Sequence, residues 1–180
     1  MKSGFLLLIA VTYLMACSSE KTTLTTTAGG SVTIGDKPVA LMWLVPDCPL
    51  CQAYSTHFVA LANNSGSAFT FYGVLPGNLY TSKEVQHFVD SFGFDMPIIA
   101  DPDYDLTGKY KVSVTPEFLL LDSNASVFYQ GKYDDWATDL SQKKIKPIKH
   151  YFADAISAFV NKTPLKQSKT QPIGCIIEFD

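Results

Sequence analysis

The feature that most constrains the fold is an unbroken apolar run at residues 39–45, VALMWLV, directly after the turn signal Gly35-Asp36-Lys37-Pro38. An apolar run without polar alternation indicates a strand that is buried on both faces. The residues after it have helical spacing from 48 to 62, and an Asn-Asn-Ser-Gly cluster then ends the helix. The folded part therefore opens with a strand–helix unit typical of α/β proteins.

The rest of the chain continues this alternation of strands and helices. Apolar runs and turn signals predict strands at 69–75, 97–100, 118–121 and 127–129. Helices are predicted from Thr81, which with Glu84 forms a capping box, to Gly93, and also at 105–110 and 148–160. The order β-α-β-α-β-α-β-β-α predicts an α/β layered fold. In the last helix the residues expected to face inward are Ile148, Phe152, Ile156, Phe159 and Val160.

Length and composition exclude several classes of protein. A chain of 180 residues that is 47% hydrophobic suits one domain and excludes a wholly disordered one. The formal net charge is −3, so no nucleic-acid partner is expected. All 14 basic residues are lysines, so chemistry that needs a planar, bidentate cation lacks its usual side chain.

The first residues are typical of a targeting signal. Lys2 precedes an apolar run at 5–15 that is too short to span a bilayer of ~30 Å as a helix. The run ends in Leu-Met-Ala-Cys, which resembles a bacterial lipobox with Cys17 as the lipidated residue. We therefore expect a signal peptide at 1–16, a flexible tether at 17–30, and a lipid-anchored protein of the bacterial cell envelope that faces the periplasm or the exterior.

The chemistry is expected at Asp47-Cys48-Pro49-Leu50-Cys51, where the buried strand ends and the helix begins. Cys48 lies near the free N–H groups of the helix, which favours a thiolate, so we assign it as the attacking thiol. Cys51 lies one turn further in and is assigned as the resolving thiol. Pro49 at the first turn costs no hydrogen bond, and Asp47 would raise the pKa of Cys48 if its carboxylate points at the sulfur.

A Cys-x-x-Cys pair is also half of a zinc site. A second such pair is missing after Cys17, so a zinc site would need Cys48, Cys51, Cys175 and one histidine. The alternative to thiol chemistry is therefore a copper- or zinc-binding chaperone that uses the same thiols as ligands. We expect no bound metal.

Two halves of the sequence resemble the thioredoxin-fold redoxins, which include alkyl hydroperoxide reductase/thiol-specific-antioxidant-like proteins and membrane-tethered thiol-disulfide oxidoreductases. Lys37-Pro38 and the Cys-Pro-Leu-Cys motif match the first half, and Val114-Thr115-Pro116 with FLLLD at 118–122 matches the second. The stretch YQGK at 129–132 resembles the strand and turn that follow in the family. The resemblance covers 31–160 and implies a thioredoxin-like fold with a central mixed sheet flanked by helices. We place the redoxin domain at 31–162.

The resemblance also implies roles for the second half of the site. In the family the proline that matches Pro116 is cis and packs against the disulfide, and the residue before it, here Thr115, offers backbone groups to the partner chain. It implies thiol-disulfide exchange with protein thiols and disulfides, with a redox-active Cys48–Cys51 disulfide and no other cofactor.

Two related reactions fit less well. Peroxiredoxins resemble this fold, but they carry a threonine three positions before the cysteine, where this chain has Val45, and a catalytic arginine that is missing here. Copper-delivery proteins of the Sco type use Cys-x-x-x-C and a distal histidine, and this spacing is one residue shorter.

Cys175 lies in a C-terminal extension, 163–180, which is polar at first and then apolar in Pro-Ile-Gly-Cys-Ile-Ile. Such an ending is unusual for a free tail, so we expect it to dock. Cys175 is then either a small buried residue on a docked strand or a third redox thiol close to Cys48, because the neighbouring Gly174 permits close approach.

Overall fold

The computed structural model describes residues 21–179. The predicted signal peptide and Cys17 lie outside these residues. Within the described part of the chain, no helix is both long and apolar enough to cross a membrane. The strands are β1 Thr22–Thr25, β2 Ser31–Ile34, β3 Val39–Trp43, β4 Thr70–Pro76, β5 Ile98–Asp101, β6 Val114–Thr115, β7 Glu117–Leu121, β8 Val127–Gly131 and β9 Cys175–Ile176. The helices are α1 Pro49–Asn64, α2 Ser82–Phe92, α3 Asp105–Tyr110 and α4 Tyr151–Val160.

A mixed sheet with the strand order β5-β4-β3-β7-β8 forms the centre of the described residues. Strand β3 pairs parallel with β4 and antiparallel with β7, while β4–β5 is parallel and β7–β8 antiparallel. All five residues of β3 are buried, as their continuous apolar character predicts. The predicted α/β fold with a central mixed sheet flanked by helices is confirmed.

Apolar side chains cover both faces of this sheet. One face packs against α1, α2 and α4 through an aromatic cluster centred on Phe58, which contacts Phe71, Phe94, Phe118 and Phe152. The other face packs against α3 and receives apolar side chains from β2 and from the C-terminal segment. These two layers fix β3 and α1 relative to each other, and so hold the junction between them in place.

The predicted start and end of α2 are confirmed. Thr81 caps the helix and forms a capping box with Glu84, and Gly93 ends it in the left-handed conformation. The short helix α3 begins where a buried carboxylate binds its first turn, because Asp101 accepts hydrogen bonds from the backbone N–H groups of Leu106 and Thr107. The start of α3 therefore depends on the Asp101 side chain, which β5 supplies.

The prediction of a flexible tether over 17–30 is wrong for residues 21–30. Strands β1 and β2 form an antiparallel hairpin, and Thr26 bridges from it to Ile99 of β5. The β-branched threonines that made the segment look polar also favour extended backbone, and Gly29, at φ +82°, permits the turn. The hairpin covers the edge of the sheet, while residues 17–20 lie outside the described part.

The prediction that Ile148 and Val160 face inward from the last helix is also wrong. Ile148 is 75% exposed because α4 begins only at Tyr151. Asp135 accepts the backbone N–H groups of Ile148 and Lys149, which holds that stretch in a non-helical turn. Val160 is 53% exposed because it is the last residue of α4.

The C-terminal extension docks, as predicted, along the far edge of the sheet. Residues 168–170 exchange backbone hydrogen bonds with Gln130 of β8, and the Thr170 side chain lies 2.7 Å from the Tyr129 hydroxyl. Beyond them, β9 pairs antiparallel with β6. The extension therefore runs from the β8 edge to the residues just before Pro116.

Candidate active site

The junction between β3 and α1 places Cys48 at the start of the helix. Cys48 is the N-cap residue of α1 and Pro49 follows at its first position. Its backbone N–H donates to the Val45 carbonyl (3.3 Å), and its own carbonyl accepts the N–H of Gln52 (3.1 Å). Cys48 thus lies at the positive end of α1, where a thiolate is favoured.

The Thr115 carbonyl oxygen and the Cys175 thiol contact the Cys48 sulfur. When it is protonated, the Cys48 thiol donates to the Thr115 carbonyl oxygen at 3.2 Å, and the Cys175 thiol donates to the Cys48 sulfur at 2.7 Å. Cys48, Cys51 and Cys175 are free thiols. Cys48 is 1% exposed and Cys51 is fully buried, whereas Cys175 is partly exposed. Cys175 therefore covers the sulfur that we assign as the nucleophile.

The three thiols differ in the direction in which their surroundings shift the pKa. A hydrogen bond from the Cys51 side chain lowers the pKa of Cys48 to about 5, against the opposing effect of burial, and Cys175 contributes a second such bond. Burial raises the pKa of Cys51 well above its ordinary value. Burial, together with the hydrogen bond to Cys48, raises the pKa of Cys175 to about 12. These shifts favour a thiolate at Cys48 and protonated thiols at Cys51 and Cys175, and as a thiolate Cys48 no longer donates to Thr115.

The loop before β7 completes the site. The Thr115–Pro116 peptide bond is cis, as the family resemblance implied. Thr115 is buried and lies opposite Cys175 in the pairing of β6 with β9. The edge of β6 next to the Cys48 sulfur is therefore occupied by the chain's own C-terminal strand.

The remaining predicted neighbours of the site have different environments. Asp47 is exposed, and its carboxylate accepts a hydrogen bond from the Tyr80 hydroxyl. Pro49 is exposed at the start of α1, while Leu50 is buried in the core beneath it. Burial and the bond to Asp47 raise the pKa of Tyr80 above its ordinary range, so this tyrosine stays protonated.

A cleft of about 270 Å³ opens beside the thiols. Its walls come from the loop before α1, the loop after β4 and the C-terminal strand. Tyr80 and Tyr104 lie in this lining, and neither was singled out from the sequence, because the loops that bring them here are distant from the motif along the chain. A tyrosine after a buried strand gives no signal of its own that could have identified them.

The histidines that a metal site would need lie elsewhere on the surface. His57, His87 and His150 are exposed, and His57 contacts the rings of Tyr54 and Tyr133. Within residues 21–179 no group of three or more His, Cys, Asp or Glu side chains is arranged to hold a metal ion.

The lowered pKa of Cys48 gives a testable pH dependence. The reduced protein should lose the ultraviolet absorbance of one thiolate as the pH falls through about 5, and Cys48→Ala should lack this step. Cys175→Ala should move the step to higher pH, because the thiolate loses a hydrogen-bond donor. A single step near the ordinary cysteine value of about 8.5 would contradict this description of the site.

Comparisons with known proteins agree with this architecture. The Redoxin family profile matches residues 14–144. No curated protein is significantly similar to the chain in sequence. An uncharacterized conserved protein from Geobacillus kaustophilus superposes with a TM-score of 0.77 at 20% identity, covering 90% of each chain.

Two further solved structures are similar in fold. One is a secreted disulfide oxidoreductase from Mycobacterium tuberculosis, homologous to Escherichia coli DsbE (TM-score 0.55, 20% identity, 76% of this chain and 95% of that one). The other is StoA from Bacillus subtilis (TM-score 0.56, 16% identity, 78% of this chain and 98% of that one). The fold is thus thioredoxin-like, and since the family profile spans most of the sequence, this chain belongs to the Redoxin family.

Proposed function

We propose that the protein is an extracytoplasmic thiol-disulfide oxidoreductase that exchanges electrons with partner proteins through Cys48 and Cys51. The observation that carries this proposal is the position of Cys48 at the start of α1 with the fully buried Cys51 one turn further in, where a hydrogen bond from Cys51 lowers the pKa of Cys48 and burial raises the pKa of Cys51. Such a pair supplies an attacking sulfur and a resolving sulfur from one helix. The fold of known disulfide oxidoreductases is consistent with it.

In the reducing direction the first step is attack by the Cys48 thiolate on a client disulfide. One client sulfur leaves as a thiolate, and the other stays bonded to Cys48 in a mixed disulfide. Cys51 then loses its proton and attacks the Cys48 sulfur, which releases the second client sulfur. The client gains two electrons and two protons overall, and the protein is left with a Cys48–Cys51 disulfide. The oxidising direction is the same sequence in reverse.

The edge of β6 is the surface on which a client would bind. Strand edges present unpaired N–H and C=O groups that can take up an extended chain. Thr115 carries its carbonyl oxygen within 3.2 Å of the Cys48 sulfur, so a client strand paired there would bring its cysteine to the nucleophile. Thr115 and Pro116 are therefore assigned to client binding, and no cofactor besides the disulfide is needed.

The location in the cell envelope rests on two arguments. The lipobox-like sequence before Cys17 would supply a lipid anchor, and the similar protein from Mycobacterium tuberculosis is secreted. Disulfides also persist in oxidising compartments outside the cytoplasm. We therefore propose that Cys17 holds the domain on the outer side of a bacterial membrane.

The proposal is tested with a peptide that contains one internal disulfide. The reduced protein should reduce the peptide and accumulate in equal amount one intramolecular disulfide that includes Cys48, measured by thiol labelling and mass spectrometry. The double variant Cys51→Ala/Cys175→Ala should stop at a stable mixed disulfide on Cys48. A peptide that stays oxidised, or a mixed disulfide that maps to another residue, would refute the assignment.

A further inference from the structure

The C-terminal residues 173–178, which we term the tail strand, lie where a client chain would bind. Cys175 and Ile176 of the tail strand pair antiparallel with Thr115 and Val114. The backbone N–H of Ile177 then donates to the Ser113 carbonyl at 3.0 Å. The tail strand thus uses the same main-chain groups of β6 that the proposed function assigns to an incoming client.

Two side-chain features fit the tail strand closely to this edge. A Cβ atom added at Gly174 would overlap the Thr115 carbonyl oxygen, so at this point the two backbones approach more closely than another residue allows. Ile177 is buried in the core layer beside α3, whereas Ile176 points outward and is 79% exposed. This alternation is that of a docked strand with one apolar anchor.

The end of the tail strand is held by Tyr104. The Tyr104 hydroxyl donates to the Glu178 carbonyl at 3.0 Å, and its ring packs against Phe179 at 5.0 Å between centroids. Together with Ile177 this fixes the chain on the C-terminal side of Cys175, while the close approach of Gly174 to Thr115 fixes it on the N-terminal side. The position of the Cys175 sulfur, 2.7 Å from that of Cys48, therefore follows from strand docking on β6.

We propose that the tail strand is an internal client, and that Cys175 exchanges with the Cys48–Cys51 disulfide to give a second, Cys48–Cys175 disulfide. This inference rests on the proposed function, because it requires Cys48 to be the reactive sulfur. It adds a third redox residue to the site and a strand that an external client has to displace.

The exchange needs no outside oxidant or reductant. Cys175 loses its proton and attacks the Cys48 sulfur of the Cys48–Cys51 disulfide. A bond forms between the Cys175 and Cys48 sulfurs, the bond between Cys48 and Cys51 breaks, and Cys51 leaves as a thiolate that takes up a proton. The number of disulfides is unchanged, so the oxidised protein is a mixture of two isomers that share Cys48.

An external client competes with a cysteine on the same chain. The docked tail leaves Cys48 only 1% exposed, so a client reaches it when the tail strand has left β6. A tethered competitor acts at a high effective concentration. Clients that pair well with β6 therefore displace the tail.

The test uses the full-length Cys51→Ala variant, reduced and then treated with oxidised glutathione. Cys48 first takes up one glutathionyl group. Cys175 should then displace it as glutathione, leaving a Cys48–Cys175 cross-link that peptide mapping identifies. A glutathionyl group that stays on Cys48 while Cys175 is free would overturn the inference but leave Cys48 as the nucleophile of the proposed function. A protein that does not react at Cys48 would overturn both.

Two further variants test whether docking of the tail strand brings Cys175 to Cys48. Adding Gly174→Val to Cys51→Ala should lower the rate of cross-linking about tenfold or more, because the side chain pushes the strand off β6. Adding Ile176→Val, on the exposed side of the same strand, is the matched control and should leave the rate unchanged. If Gly174→Val disturbs folding, Ile177→Ala removes the buried anchor instead. Cross-linking at the control rate in a folded Gly174→Val or Ile177→Ala protein would contradict the strand-docked arrangement.

Discussion

Replacing Cys48 by alanine should lower the rate at which the protein reduces a disulfide-bonded peptide roughly a thousandfold or more, to the level of the uncatalysed reaction. Cys48 is the thiol whose pKa lies well below neutral pH, at about 5, while the pKa values of Cys51 and Cys175 are raised. No other cysteine at the site supplies a thiolate at pH 7, so none can take over the attack. Thiol release from the peptide, followed with a chromogenic reagent, measures the effect.

The matched control for this experiment is His57→Ala on the same helix. His57 is exposed and contacts the rings of Tyr54 and Tyr133, away from the three thiols. The rate should stay at the wild-type value, because Cys48 is ionised without a histidine base. A Cys48→Ala protein that kept much of the wild-type rate would show that another thiol carries the reaction.

The second large effect is expected on stability, from Phe58→Ala in α1. Phe58 is fully buried and contacts four other aromatic rings, so its removal should lower the free energy of unfolding by about 3–5 kcal/mol. Because Cys51 lies on the same helix, a loosened α1 should also weaken the separation of the thiol pKa values. Denaturant unfolding of the reduced protein measures the loss.

Val160→Ala at the exposed end of α4 is the control for the stability measurement. Its side chain is 53% exposed, so the change should alter the free energy of unfolding by no more than about 0.5 kcal/mol. Equal losses for Phe58→Ala and Val160→Ala would mean that the aromatic cluster does not hold α1 on the sheet.

The elements that the sequence predicted well are those with local signals. The apolar run at 39–45 predicted the central strand β3, because burial on both faces leaves no polar position in a strand. The capping box of Thr81 and Glu84 and the left-handed Gly93 fixed both ends of α2. The position of Cys48 at the start of α1 followed from the proline after it and the strand before it.

The features that the sequence did not predict depend on contacts between distant parts of the chain. Residues 22–25 form a hairpin because they pair with 31–34 and because Thr26 bridges to Ile99 of β5, which a low content of apolar side chains does not reveal. Ile148 has helical spacing with the residues after it, but Asp135 binds its backbone N–H and keeps it out of α4.

The position of Cys175 was predicted only as one of two possibilities. The apolar ending indicated that the extension docks, but nothing in the sequence says which strand edge it occupies. The pairing of β9 with β6 is set by the path of residues 168–170 along β8, and by the absence of a side chain at Gly174. This strand pairing depends on the tertiary fold, so local sequence patterns do not predict it.

The most direct test of the central claim is the redox equilibrium of the Cys48–Cys51 pair in the purified, metal-free protein. Samples equilibrated in defined thiol/disulfide buffers are quenched with acid, alkylated and mapped by mass spectrometry. We expect a reversible two-electron transition that involves Cys48. A midpoint near the thioredoxin value of about −270 mV would indicate a reductant, and one near −120 mV a disulfide donor. If no disulfide to Cys48 formed in any buffer, the assignment of thiol-disulfide exchange would be wrong.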